Sequence, residues 1–184
     1  MNYIKDVSLR VVNSNKYNAI VEIPKFTNKK LELVEPDNDR VIEVRKTKCR
    51  YPFFYGSFPQ TLAEDKDPLD VIIISKKLHY KPLTIKEVSI IGVIKTIDNG
   101  DKDDKILAVD STIKKFNYKK LKRVLKFLKK YKGKNSGTIV DDEIYSSKVA
   151  VGLINKCNEA YLNKDKKPEY NIKEVVIDGT LGQL

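Results

Sequence analysis

The chain has 184 residues, 41% of them hydrophobic, and a formal net charge of +11. That length allows one domain with a buried core, and the even spread of apolar residues excludes a disordered chain. Apolar runs such as Val71-Ile72-Ile73-Ile74 are too short to span a bilayer, the opening residues lack the apolar stretch of a secretory signal, and the two cysteines, Cys49 and Cys157, make neither a disulfide framework nor a zinc signature. These features lead to the expectation of a cytoplasmic protein without a membrane partner.

In chain order, strands are expected over Tyr17 to Ile23, Lys30 to Val34, Val41 to Arg45, Val71 to Ser75, Val88 to Ile97 and Ile106 to Val109. Each is short and rich in β-branched residues. Pro36-Asp37-Asn38-Asp39, Asp65-Lys66-Asp67-Pro68 and Asp98-Asn99-Gly100-Asp101 punctuate them as turns. Short strands at this spacing suit a closed barrel better than a parallel sheet. Two helices follow, over 116–132 and 147–162. In the first, Leu121, Val124, Leu125, Leu128 and Tyr131 fall on one face; in the second, Ala150, Leu153, Ile154, Cys157 and Tyr161 do so. No linker or repeat interrupts the chain, so residues 1–184 are expected to form one domain. The polar tail beyond Lys164 turns strand-like at Val175-Val176-Ile177, as a clasp on the barrel or on a neighbouring subunit would.

The positive charge is localised. Residues 111–140 hold eleven basic groups and no acidic one, so this segment alone accounts for the net charge. Its lysines occupy the helix positions that the apolar stripe leaves open, which reads as a solvated face rather than a nucleic-acid patch.

Candidate chemistry begins with Asp65, Asp67 and Asp70, three carboxylates in six residues, just before an apolar strand. Like charges this close repel, and a hard divalent cation with oxygen ligands is the usual remedy. A second cluster, Asp98, Asp101, Asp103 and Asp104, surrounds Gly100. It is not an EF-hand, because the sixth position from Asp98 is Asp103 rather than glycine and the twelfth is Val109 rather than glutamate. Lys30, Arg45, Tyr55, Tyr131 and Lys132 lie at strand or helix ends and offer phosphate-oxygen donors. Carboxylates for metals beside cations for phosphate are what metal-assisted phosphoryl hydrolysis needs. The one histidine, His79, precedes Tyr80-Lys81-Pro82 without any triad partner and reads as structural.

Together these motifs resemble the family I soluble inorganic pyrophosphatases. Asp65-Lys66-Asp67-Pro68-Leu69-Asp70 matches the D-x-D-P-x-D signature of that family. Glu22-Ile23-Pro24 with Asn28-Lys29-Lys30-Leu31-Glu32 is similar to its E-I-P…N-x-K-Y-E opening, with leucine in place of tyrosine. Val44-Arg45, the stretch Tyr51-Pro52-Phe53-Phe54-Tyr55-Gly56 through Thr61, Gly92-Val93 through Asp98 to Asp103-Asp104-Lys105, and Tyr131-Lys132 follow in the family's order. The similarity runs from about Asn18 to Leu162. One departure is Asn99, where the family often has an acid; no metal role is carried onto it.

The resemblance implies a mainly β, α+β fold: a five-stranded OB-like closed barrel with two packed helices and the site at its mouth. It implies hydrolysis of pyrophosphate with Mg2+ as cofactor and self-association into a hexamer or a dimer. On that reading Asp65, Asp70 and Asp103 bind a first magnesium, Asp70 bridges to a second, and Asp98 with Asp103 serves a third. Glu22 and Glu32 belong to the same acidic set. Asp67 is the general base, while Lys30, Arg45, Tyr55, Lys105, Tyr131 and Lys132 hold phosphate. An OB-fold single-stranded nucleic-acid binder is the alternative, but such proteins carry their lysines and aromatics on the sheet. A nucleotide hydrolase is disfavoured by the lack of a G-x-x-x-x-G-K-[ST] loop.

Overall fold

A computed structural model of the chain describes residues 1–131 and 137–165. In chain order the elements are a one-turn helix α1 (Tyr3–Asp6), β1 (Tyr17–Ile23), the hairpin β2 (Lys29–Leu33) and β3 (Val41–Lys46), β4 (Phe54–Ser57) and β5 (Asp70–Ile74). The long β6 (Thr84–Asp98), the short β7 (Asp101–Lys102) and β8 (Lys105–Asp110) follow. A 3-10 turn (Tyr118–Lys120) then leads into α2 (Leu121–Leu128), β9 (Ile139–Ser146) and α3 (Ser147–Asn163). Strands pair in the order β1-β4-β5-β8-β6, and β6 returns to β1 through Tyr17 to Val21, so five strands close a ring. β5 and β8 run parallel; the other pairs in the ring are antiparallel. β9 adds to the far half of β6, and β2–β3 forms a separate two-stranded sheet.

Alternation along the strands divides the core in two. Val71, Ile73, Ile106 and Ala108 pack with Ala150, Ile154 and Cys157 of α3. The intervening Ile72 and Leu107 pack with Leu121, Val124, Phe127 and Leu128 of α2. Side chains one residue apart on a strand point to opposite faces, so each central strand is covered on both sides. That is why all six residues of β8 are buried and why its sequence shows no polar alternation. Asp70 and Lys105 precede Ile72 and Leu107 by two residues, so both lie on the α2 face.

The structure adds elements to the sequence reading, among them α1, β4, β7 and β9, and shortens others. β4 was not expected, because Phe53-Phe54-Tyr55-Gly56-Ser57 is buried on both faces and offers no alternation. β9 was missed because Asp141, Asp142 and Glu143 break its apolar pattern. β6 starts at Thr84, four residues before the expected Val88, where Thr84 to Glu87 pair with β1. The helix expected over 116–132 is shorter, at Leu121–Leu128. Its last turn still carries Tyr131, whose N–H donates to the Phe127 carbonyl at 2.9 Å. Lys132 and the tail from residue 166 onward, with its expected clasp, lie outside the described residues. No helix among the described residues is long and apolar enough to cross a membrane.

Gly56 is where β1 and β4 come closest. A Cβ placed there would lie 1.8 Å from the Ile20 carbonyl oxygen. Gly56→Ala therefore forces two core strands apart. A loss of about 3 kcal/mol or more in urea unfolding is expected, the upper end of overpacking costs.

Candidate active site

The site is built from two acidic loops, the polar margin of the α2 face and the β2–β3 hairpin. The first acidic loop is pinned from inside. Leu69 is buried, its carbonyl accepts from the Phe58 N–H at 2.9 Å, and its own N–H donates to Thr61 Oγ1 at 2.9 Å. Pro68 prevents helix from running through the stretch, and the Asp67 N–H donates to Asp65 Oδ1 at 3.1 Å, closing a tight side-chain turn. Asp65, Asp67 and Asp70 are thus presented along one short stretch of chain.

The second loop is a two-residue hairpin between β6 and β7. Asp98 pairs with Asp101, and the turn residues Asn99 and Gly100 have φ of 51° and 99°. Both need the left-handed region, which asparagine and glycine tolerate best. The turn thus accounts for Asn99 where the sequence comparison expected an acid. Asp103 follows, its N–H bonded to the Thr96 carbonyl at 2.9 Å.

On the sheet face the parallel register of β5 and β8 sets Asp70 beside Lys105. The Lys105 ammonium, only 2% exposed, is hydrogen-bonded to both Asp70 and Asp103, and Tyr55 Oη donates to Asp70 Oδ2 at 2.5 Å. Burial alone would raise the Asp70 pKa, but Lys105 and Lys30 hold it below the usual carboxylate range. Burial also opposes the charge on Lys105, and Asp70 and Asp103 overcome it. Lys30 shows the same balance: burial is outweighed by Asp70, Glu22 and Glu32, and its pKa rises. Glu22 is different. Burial dominates despite Lys30 and a 2.6 Å hydrogen bond from Ser57 Oγ, and its pKa is pushed up to about 7. Asp65 and Asp67 are also raised, first by burial, with Asp70 adding to both and Asp65 to Asp67.

The cations rest on rings. Lys30 Nζ stands 5.2 Å from the centre of the Tyr55 ring, and the Arg45 guanidinium 5.7 Å from that of Tyr131. Tyr131 stacks on Phe127 at 5.0 Å, so α2 supports the site through aromatic packing. Tyr51 joins this cluster, and among the described residues its hydroxyl is the buried side-chain polar atom without a hydrogen-bond partner.

These residues line one cleft of about 590 Å³. Of the residues named from sequence, Glu22, Lys30, Glu32, Arg45, Tyr55, Asp65, Asp67, Asp70, Asp98, Asp103, Lys105 and Tyr131 all face it. Sequence reasoning missed Glu35 and Ser57, and it assigned no role to Asp101; all three also line the cleft. Ser57 lay within the quoted aromatic stretch, but only the packing of β4 beside β1 brings its hydroxyl to Glu22. Among the described residues, nine carboxylates and three cations line the cleft. The acids are all oxygen donors, with no cysteine or histidine among them, which is the donor chemistry of a hard cation. As they stand, no three acidic or other ligating side chains among the described residues close around an ion; Lys105 bridges Asp70 and Asp103 instead. The residues therefore fit metal ions by composition and by their unbalanced charge.

Comparison with known proteins gives this cleft a context. The family model described as inorganic pyrophosphatase matches residues 19–162. The chain belongs to the inorganic pyrophosphatase family. It is 30% identical over 155 residues to a soluble inorganic pyrophosphatase of Oryza sativa subsp. indica, covering 79% of this chain and 72% of the relative. Among solved structures it is similar to a type I inorganic pyrophosphatase from P falciparum, at 25% identity with a TM-score of 0.78. That match covers 89% of this chain but only 63% of the other. The inorganic pyrophosphatase from Neisseria gonorrhoeae, at 25% identity and a TM-score of 0.73, is covered over 97% of its length and 85% of this chain. The five-strand ring with its packed helices is thus the pyrophosphatase fold, and every described motif of the family borders the cleft.

Glu22 gives this pyrophosphatase-family site a measurable signature. An acid whose folded pKa is raised binds its proton more tightly in the native state than in the unfolded chain. Its stabilising contribution is complete below the unfolded value of 4.5 and falls as pH rises toward about 7. In the metal-free protein, Glu22→Gln is expected to flatten stability between these pH values, by up to about 1.4 kcal/mol per pH unit. Urea unfolding at a series of pH values measures this.

Proposed function

We propose that this chain hydrolyses inorganic pyrophosphate to two orthophosphates with magnesium as its cofactor. The observation that carries this reading is the charge of the cleft: nine carboxylates against three cations among its described lining residues. A pyrophosphate anion entering such a cleft alone would be repelled, whereas the same carboxylates attract divalent cations. Bound magnesium would supply two things: charge to screen the phosphate oxygens and acidification of the attacking water.

The chain's own residues do the rest. Asp65, Asp70, Asp98 and Asp103, with Glu22 and Glu32 nearby, would hold the metal ions through carboxylate oxygens. Lys30 and Arg45 would bind the phosphoryl oxygens of the substrate and of the leaving phosphate, braced on Tyr55 and Tyr131. Lys132 would extend this set. Lys105, buried and bonded to Asp70 and Asp103, acts mainly by fixing those two carboxylates. Asp67 is the proton acceptor from water. It is more exposed than Asp70, lies in the cleft, and has its pKa raised by burial and by Asp65 and Asp70. That moves it toward the range in which a carboxylate is an effective base. The unpaired Cys49 and Cys157 suit a reducing compartment, the cytoplasm. The acidic cleft speaks against a nucleic-acid groove, which would need the opposite sign.

A phosphate-release assay with magnesium should show pyrophosphate cleaved far faster than ATP or tripolyphosphate. EDTA should abolish the activity and added magnesium restore it; full activity in chelator would overturn the metal mechanism. Asp67→Asn keeps the shape of the side chain but cannot accept a proton, so turnover should fall by ~10²–10⁴ with the melting temperature and magnesium binding nearly retained. Turnover within a few-fold of the parent would remove Asp67 from the role of base.

A further inference from the structure

The two acidic loops are separate in the chain, and the cleft works only if they keep their relative position. Behind them lies a second cavity of about 230 Å³, lined by Leu62, Ala63, Leu69, Leu153, Cys157 and Ala160. It separates the first acidic loop from α3. The start of that loop is anchored on the helix, where the Leu62 N–H donates to the Cys157 carbonyl at 2.9 Å and the Asn158 amide to the Gln60 carbonyl at 2.6 Å. Ala63 and Leu69 pack on the core at either end of the loop, and between them Glu64, Asp65, Lys66 and Asp67 offer no apolar side chain to hold it down.

Glu64 spans that gap. Its carboxylate accepts from Lys156 Nζ of α3 at 3.0 Å and from Lys102 Nζ of β7 at 3.2 Å. These hydrogen bonds are the leading reason its pKa is lowered. Glu64 immediately precedes Asp65, and Lys102 stands between Asp101 and Asp103. One carboxylate therefore ties the first acidic loop to the second and both to the rigid helix. None of the three side chains lines the catalytic cleft.

We propose that Glu64, bridged to Lys102 and Lys156, is a positioning residue that holds the two acidic loops in the mutual register that metal binding requires. This rests on the proposed metal-dependent function. The bridge is solvent-exposed, with side chains about half to two-thirds accessible, so its contribution to global stability is small. Its effect lies in restricting where Asp65 and Asp67 stand relative to Asp101 and Asp103. Fixing the stretch of chain that carries a ligand restricts that ligand much as a hydrogen-bonded outer partner does.

The sign of the effect of removing the lysines separates positioning from simple electrostatics. Lys102→Met with Lys156→Met deletes two positive charges near an acidic site. Electrostatics alone would then tighten cation binding. Loss of positioning would weaken it. Calorimetric titration of the substrate-free protein with magnesium alone should show affinity reduced by roughly tenfold in this double variant, at the lower edge of outer-partner effects. Glu64→Gln should weaken it similarly, Glu64→Asp less, and the triple variant no further than the double. The melting temperature should change little throughout. Unchanged or tighter magnesium binding in the lysine double variant would overturn the proposal, as would a loss of stability without a loss of affinity. If the parent protein itself binds no magnesium and cleaves no pyrophosphate, the proposed function fails instead, which the same titration and assay distinguish.

Discussion

The arrangement turns on one buried ammonium. Asp70 and Asp103 come from different parts of the chain and are drawn to the same spot on a largely dry sheet face, where two unscreened carboxylates would repel strongly. Lys105 lies between them and bonds both. It reaches that position because β5 and β8 pair in parallel, Val71 with Ile106, which leaves Asp70 and Lys105 adjacent at the strand starts. Replacing that contact by any other register would bury a charge without a partner. The register is therefore enforced twice, by the apolar residues that follow and by the ion pair that precedes them.

The same face is divided between packing and chemistry. Toward its apolar part, Ile72, Ile94 and Leu107 receive α2, and the aromatic group of Tyr51, Phe53, Tyr55, Phe127 and Tyr131 fills the boundary. Beyond that boundary, Tyr55 and Tyr131 turn from core residues into platforms for Lys30 and Arg45. Local rules are broken here, as functional sites often require. Lys30 and Arg45 are paired directly across the β2–β3 hairpin, a like-charge juxtaposition that costs stability. The neighbouring carboxylates Glu22, Glu32 and Asp70 offset that repulsion. The hairpin and the acidic loops are thus electrostatically interdependent, although they share no sheet.

Much of this was legible in the sequence because its signals were local. Three aspartates in six residues, a turn at Asn99-Gly100 and an apolar stripe ending at Tyr131 each need only neighbouring residues to be read. The β1 strand was read without error, since its apolar residues are bounded by clear turn formers. What escaped depended on distant contacts. β4 is buried on both faces, so no period marks it, yet it carries Tyr55 and Ser57 into the site. β9 holds three consecutive acids and becomes a strand because β6 offers it an edge. Glu64 carries no mark of its own in the sequence, where it is one acid directly before Asp65. Only the meeting of that loop with β7 and α3 distinguishes it from Asp65.

A chain of net charge +11 that encloses an acidic cleft must keep its cations from neutralising it. Any further lysine reaching the loops would pair with the remaining aspartates and compete with metal ions for their oxygens. α2 prevents this by its period. Leu121, Val124, Phe127 and Leu128 are buried against the sheet, so Lys122, Arg123, Lys126, Lys129 and Lys130 are directed to solvent, where Lys129 pairs with Asp142 on β9 rather than with a cleft residue. Exposed charges act at a distance only within about 8–10 Å at physiological salt. Their field draws anions toward the molecule in general without altering the balance inside the cleft. The 3.6-residue spacing of a few apolar side chains is therefore what allows a basic protein to keep an acidic active site.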